Sequence, residues 1–306
     1  MIEAGEIYGK KRIVIKLKRI ISGILALAFM STILSGCGNK QTPAEKLAAA
    51  AEKTNQAQSV NSKLNMDFGV GVSASGMNMN LDMKMNFDCT SFKDPQKTKA
   101  DGTLDLGIYG KQTMQIYSEK KDNQMLVYSN TGSGWTTASA DTMNQVDPSK
   151  ELELFTEVAE NFKEAGTEKI NDQDAIKITG TISGENLKKI FDSNELLQEI
   201  KSIAGDDQEK LEQLYNNLGS ISVNFWIDSK TGYLVKTQMD ITDVLKNLFS
   251  QAMTQSGTPS GVGFDVSTAN IEISFSNFDQ AEDFTIPDEA RTSANVNSST
   301  SSALAA

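Results

Sequence analysis

The chain has 306 residues, 39% of them hydrophobic and 7% aromatic, and a formal net charge of −11. It holds two cysteines and no histidine. That composition excludes a Ser-His-Asp triad, a Cys-His pair, an imidazole metal site and a zinc ribbon. The acidic excess argues against nucleic acid as a partner, because neutralising phosphates needs clustered Lys and Arg.

The start of the chain is basic, with Lys10, Lys11, Arg12, Lys16, Lys18 and Arg19. An apolar run of 15 residues, Ile20 to Leu34, comes next. It is shorter than the ~20 residues a membrane-spanning helix needs, and it suits the apolar region of a secretory signal. Leu34, Ser35 and Gly36 then lead into Cys37. This stretch resembles the lipobox of bacterial lipoproteins. The resemblance implies that residues 1–36 are a signal peptide, and that Cys37 carries a diacylglyceryl group and begins the mature chain. Residues 37–42 would be the lipidated cysteine and its tether, holding the protein on the outer face of the cell membrane. A diacyl anchor is stable, at about 0.8 kcal/mol per buried methylene.

Processing would change the charge. The leader holds six of the 29 basic side chains and two of the 40 acidic ones, so a net −15 remains. Such a globule is expected to stand off anionic headgroups. With Cys37 acylated, Cys89 has no partner in the chain. It ends an alternating apolar run, and is expected to be a small core residue.

Thr42-Pro43-Ala44-Glu45 reads as a capping box with proline at the first helical position, opening an alanine-rich helix to about Gln58. From Leu64 the even positions are apolar or small: Leu64, Met66, Phe68, Val70, Val72 and Ala74. After Ser75-Gly76 the odd positions take over: Met77, Met79, Leu81, Met83, Met85, Phe87 and Cys89. Period-two alternation of this length predicts a hairpin with one wet and one dry face. Further strands are expected at Leu104 to Ile108, Met114 to Tyr117 and Gln124 to Ser129, with a Gly/Ser turn before Trp135. Asp147-Pro148 opens a predicted helix bearing Phe155, Val158, Ala159 and Phe162, with Gly166 at its end. A strand is expected near Ala175 to Ile182. Helices follow, bearing Leu187, Ile190 and Phe191, then Leu211, Leu214, Tyr215 and Leu218. Ile221 to Ile241 reads as a second hairpin, turning at Asp228 to Gly232. A short helix with Val244, Leu245, Leu248 and Phe249 comes next, then a Gly/Ser/Thr-rich loop, Thr254 to Gly263. The last strand holds Ile271, Ile273 and Phe275, and Ile286-Pro287 closes the domain. From Arg291 the composition is that of a disordered tail.

The expectation is α+β: one domain over residues 43–289, a curved antiparallel sheet packed against amphipathic helices, with residues 290–306 as a tail. The lipobox, the first helix, the long amphipathic hairpins, the turn Ile227 to Val235 and the close at Ile286-Pro287 together resemble lipoproteins of LolA-like or LppX-like fold. The chain is especially similar to a Gram-positive branch known as a domain of unknown function, which Trp135 after a Gly/Ser turn also fits. The resemblance implies a half-barrel sheet whose dry space beneath the helices holds a lipid or other apolar ligand. It carries no residue-level lipid motif.

The residues that would line such a space are Met66, Phe68, Met77, Met79, Leu81, Met83, Met85 and Phe87. Methionine is flexible and polarisable and suits surfaces that repack around variable apolar ligands. The same stripe would also make an ordinary core. Paired methionines could suggest Cu(I), but Phe, Val and Leu share their face and packing explains them better. Ser118 to Lys121 and Lys230 to Gly232 match S-x-x-K and K-T-G, in the wrong structural contexts. No calcium loop or phosphate loop is present. The reading is a non-enzymatic, membrane-anchored lipoprotein with no cofactor and no metal, binding an apolar or amphipathic ligand. An envelope interaction or sensor module with a solid core is the alternative, and an envelope hydrolase ranks last.

Overall fold

A computed structural model describes residues 41–74, 77–122, 124–140, 161–192, 208–255 and 262–293. The lipobox, Cys37, the turn at Ser75-Gly76 and most of the helix expected after Asp147 lie outside them.

Helix α1 (Pro43–Gln56) starts as the sequence predicts. The Thr42 side chain accepts from the Glu45 amide at 3.2 Å, and the Thr42 amide donates to the Glu45 carboxylate at 2.7 Å. The reciprocal pair satisfies two amides that a helix start leaves open. Its small face, Ala44, Leu47, Ala50 and Ala51, is buried, letting the helix lie close against a sheet.

The sheet is built from two runs of sequence-adjacent antiparallel strands. The first holds β1 (Ser59–Ala74), β2 (Met77–Phe92), β3 (Lys97–Asp105), β4 (Lys111–Lys121), β5 (Gln124–Asn130) and β6 (Trp135–Ala140). The second holds β7 (Lys163–Ile170), β8 (Gln173–Ser183), β9 (Ser220–Asp228), β10 (Leu234–Asp240) and β11 (Val262–Ser276). Every neighbouring pair is antiparallel, and the order is β6-β5-β4-β3-β2-β1-β11-β10-β9-β8-β7. The runs join where β1 pairs with β11, placing Leu64 opposite Ile273 and Met66 opposite Ile271. This is one open eleven-stranded sheet, not closed into a barrel. The fold is α+β, as expected.

Helices α2 (Gly184–Asp192), α3 (Gln208–Asn216) and α4 (Thr242–Gln255) join α1 over β8 to β11. Leu187 and Ile190 on α2, Tyr215 on α3, and Val244, Leu245 and Leu248 on α4 enter one core with Ile178, Val223, Phe225, Ile271 and Ile273. Phe162 stacks on Phe225 at 5.9 Å within it. Gly166 does not end a helix. It lies inside β7, with a positive φ of 100°, where the pairing with β8 skips register, as a bulge does.

The opposite, wet face carries charge pairs such as Lys63–Asp88 and Lys99–Asp101. One aromatic sits among them. Trp226 is only 4% exposed. Its indole donates to Glu168 at 2.8 Å, and the ammonium groups of Lys177 and Lys236 lie 5.0 and 5.1 Å from its ring. Lysine stems cover the apolar ring while their heads stay wet.

After β11 the chain crosses to that wet face and straps β3 to β6. Phe284 and Ile286 reach a second, smaller core with Tyr117, Tyr128, Leu126 and Trp135, capped by helix α5 (Asp288–Arg291). Ala290 is fully buried, and Arg291 makes two bonds to the Glu119 carboxylate, at 3.1 and 3.2 Å. The ordered chain therefore continues past residue 289, through the first residues that composition assigns to the tail. Tyr128 donates to Glu119 at 2.9 Å. The Arg291 bond, then the Tyr128 bond, hold the Glu119 carboxyl below its ordinary range, while burial pushes the Tyr128 hydroxyl up to about 12.

The two groups bound the pH range of this latch. A carboxyl depressed in the fold stabilises it fully above its free value of about 4.3, and the contribution is lost as the pH falls through the folded value. A tyrosine raised in the fold stabilises it below about 10, and the contribution is lost as the pH climbs towards 12. Arg291→Ala is expected to loosen the strap by about 1 kcal/mol or less, because the pair is part-exposed. Amide exchange over residues 283–293 reads this. The wild-type chain should approach the variant as the pH falls below the free carboxyl range and through the depressed folded value, and unchanged exchange in the variant would refute the latch.

Candidate functional site

The β1–β2 register sets Leu64 beside Phe87, Met66 beside Met85, Phe68 beside Met83, Val70 beside Leu81 and Val72 beside Met79. Side chains alternate across a strand, so all ten share one face. Continuing across the sheet, Phe87 faces Gly102, Met85 faces Leu104, and Ala100 and Gly102 face Ile116 and Met114. This part of the dry face contains no charged residue. Met77 pairs with Ala74 at the head of the same row, and its side chain lies outside what is described.

Burial falls steeply across this face. On β1, Leu64, Met66 and Phe68 are 7%, 1% and 4% exposed and belong to the core. On β2, Met83, Met85 and Phe87 are half-buried and pack against that core, and Leu81 is half-buried. Met79 is 46% exposed. The cause is the placing of the helices. Among the described residues their main contacts on this face fall on β8 to β11, leaving β2 to β4 with a thinner cover. The predicted residues are thus brought together in one row, but in two environments: Met66 and Phe68 in the core, and Met79 to Met85 on an apolar shelf beside it.

Phe87 lies flat over Gly102. A Cβ at Gly102 would sit 2.3 Å from the Phe87 ring and 2.4 Å from the Asn86 carbonyl oxygen. The ring therefore covers sheet backbone rather than standing up from it. Cys89 bonds to Ser62, which opposes a larger effect of burial that pushes the thiol up to about 11. At neutral pH it is a protonated, inert side chain.

Sequence reasoning missed the tip between β3 and β4. Leu104 to Ile108 was expected as strand. Instead the strand stops at Asp105, and residues Gly107–Tyr109 form a single 3₁₀ turn. Ile108 is 79% and Tyr109 62% exposed. The available signal was the pair of glycines around Ile-Tyr, since both take positive φ here, 60° at Gly107 and 94° at Gly110.

Other candidates resolve simply. Ser118 lies within β4, and Lys230 to Gly232 lie in the β9–β10 turn, where Asp228 accepts from the Lys230 and Thr231 amides and the Thr231 hydroxyl. Neither context resembles a penicillin-recognising site. Among the described residues no group of three or more His, Cys, Asp or Glu side chains could hold a metal ion. No helix among them is long and apolar enough to cross a membrane.

An open antiparallel sheet with, among the described residues, helices over β8 to β11 and an apolar shelf on β2 to β4 defines an α+β sheet-and-helix protein. The chain belongs to a family of unknown function, DUF6612, whose profile matches residues 42–295. No curated protein matches the chain. Among solved structures it is similar to the lipoprotein LppX of Mycobacterium tuberculosis, at 14% identity, over 79% of this chain and 98% of that one, with a TM-score of 0.39. LprF from Mycobacterium bovis is similar at 15% identity, over 81% and 97%, with a TM-score of 0.39. A LolA superfamily protein from Nitrosomonas europaea is similar at 9% identity, over 82% and 97%, with a TM-score of 0.22.

Proposed function

We propose that the chain is a lipoprotein anchored through Cys37 on the outer face of the cell membrane, and that it holds the apolar part of a lipid-class ligand against β2 to β4. It acts as a carrier or scavenger and performs no reaction. Residues 1–36 are the leader, 37–42 the tether, and the domain begins at the capping box of α1. The observation that carries the reading is the shelf. Leu81, Met83 and Met85 form a charge-free row that stays part-exposed beside a sealed core. Solvent contact of apolar surface costs roughly 25 cal/mol per Å², so an acyl chain laid on this row gains by displacing water. Unbranched, polarisable methionines adapt to chains of differing shape.

The test is native mass spectrometry of the protein extracted gently from membranes, together with titration of a fluorescent fatty acid. A co-purifying lipid mass, or saturable uptake, supports the reading. A ligand-free mass with no uptake would instead favour the interaction module with a solid core.

A further inference from the structure

The described residues contain three exposed large hydrophobic side chains, Met79, Ile108 and Tyr109, and the three adjoin. The Tyr109 hydroxyl donates to the Met79 sulfur at 3.6 Å, although the two residues come from different hairpins. We propose that this patch, Met79 with Ile108 and Tyr109, docks into the surface of a phospholipid bilayer and so presents the β2 shelf to it. The inference rests on the preceding reading for its anchor at Cys37.

Four features fit a bilayer. First, the turn brings much of its own hydrogen bonding. The Tyr109 amide donates to Leu106 at 3.2 Å, Gly110 to Gly107 at 3.0 Å, Leu106 to Gly110 at 2.9 Å, and Gly107 to the Asp105 carboxylate at 2.9 Å. A backbone satisfied internally enters a poorly hydrated region at little cost. Second, the tip is locally neutral. Asp82, Lys84, Asp105 and Lys111 flank it, two of each sign, on a chain whose net charge after processing would be −15. The repulsion expected between the acidic globule and anionic headgroups is therefore weakest here. Third, tyrosine beside an aliphatic residue suits the interface, with the ring among acyl carbons and the hydroxyl near water. Fourth, Met79 belongs to the row that continues through Leu81, Met83 and Met85, so a chain leaving the bilayer at the tip meets apolar surface without crossing a charge.

A protein partner fits less well. Stable complexes bury about 800 Å² per partner, and a convex turn with three side chains offers far less. A bilayer needs no shape complement, and the tether keeps it near, because Gly38 to Thr42 reach about 17 Å when extended.

The experiment places an environment-sensitive fluorophore at Ile108→Cys in the full chain, purified as the producing cell makes it. A second preparation carries the label at Ser229→Cys, in the β9–β10 turn at the other end of the sheet. Cys89 is part-buried, and Cys89→Ser in both preparations removes it from the labelling. Each protein is mixed with phosphatidylcholine vesicles containing doxyl-labelled lipid. The label at residue 108 should shift to the blue and be quenched several-fold more than the label at 229, and Tyr109→Asp should abolish the difference. Equal quenching at both positions would overturn the proposal. Intact mass of the same samples reports lipidation at Cys37, and fatty-acid uptake reports ligand binding. A failure of either is thus seen separately from a failure of the tip.

Discussion

Leu81→Asp should abolish most fatty-acid uptake while leaving the fold standing. Leu81 is half-buried on β2 opposite Val70, so an aspartate there keeps its water in the free protein. Stability should change by about 1 kcal/mol or less, as at other part-exposed sites. An acyl chain laid over the same position would strip that water from an unpaired carboxylate, which costs about 2 kcal/mol or more. Affinity should fall by about tenfold to a hundredfold, since 1.4 kcal/mol is tenfold. Leu81→Met should bind normally. Met66→Ala gives the contrasting pattern: at 1% exposure Met66 belongs to the core, and its loss should cost about 2–5 kcal/mol. Thermal melts beside uptake titrations separate the two. Unchanged uptake in Leu81→Asp would remove the ligand from β2.

Gly102→Val should destabilise the domain by about 1–3 kcal/mol, the range for overpacking that the backbone must accommodate. The added Cβ would lie within 2.4 Å of both a ring carbon of Phe87 and the Asn86 carbonyl oxygen. A side chain could rotate away, but a carbonyl in the β2–β3 ladder cannot move without breaking pairing. Adding Phe87→Ala should therefore recover only part of the loss. Denaturant midpoints of the single and double variants measure this. Full recovery in the double variant would show that the ring alone enforces the glycine.

Much of the fold was legible, for a local reason. Each hairpin within the two runs joins strands adjacent in sequence, and period-two alternation marks which side of each strand is dry. The capping box at Thr42–Glu45 and the turn at Asp228–Gly232 were readable because their bonds close within a few residues. The row Met79 to Phe87 was readable as one face for the same reason. The division of the face into core on β1 and shelf on β2 was not, because that depends on helices far along the chain. The Ile108-Tyr109 tip was misread because alternation alone does not say where a strand stops. Trp226 was missed because its partners, Glu168, Lys177 and Lys236, come from three strands.

The sequence by itself therefore determined the fold class and its local parts: an acidic chain without histidine, a first stretch that resembles a lipoprotein leader, and strands with one dry face. Tertiary structure alone decided three further things. It paired β1 with β11 across some two hundred residues, a contact with no local signature because the loop it closes is so long. It set the helices over β8 to β11 and sent the strap from Phe284 to Arg291 to the opposite face, where Tyr117, Tyr128 and Trp135 offered apolar surface. And, among the described residues, it set the helices on β8 to β11 rather than on β2 to β4, so a stripe that reads uniformly as core became core at Met66 and a part-exposed shelf at Leu81.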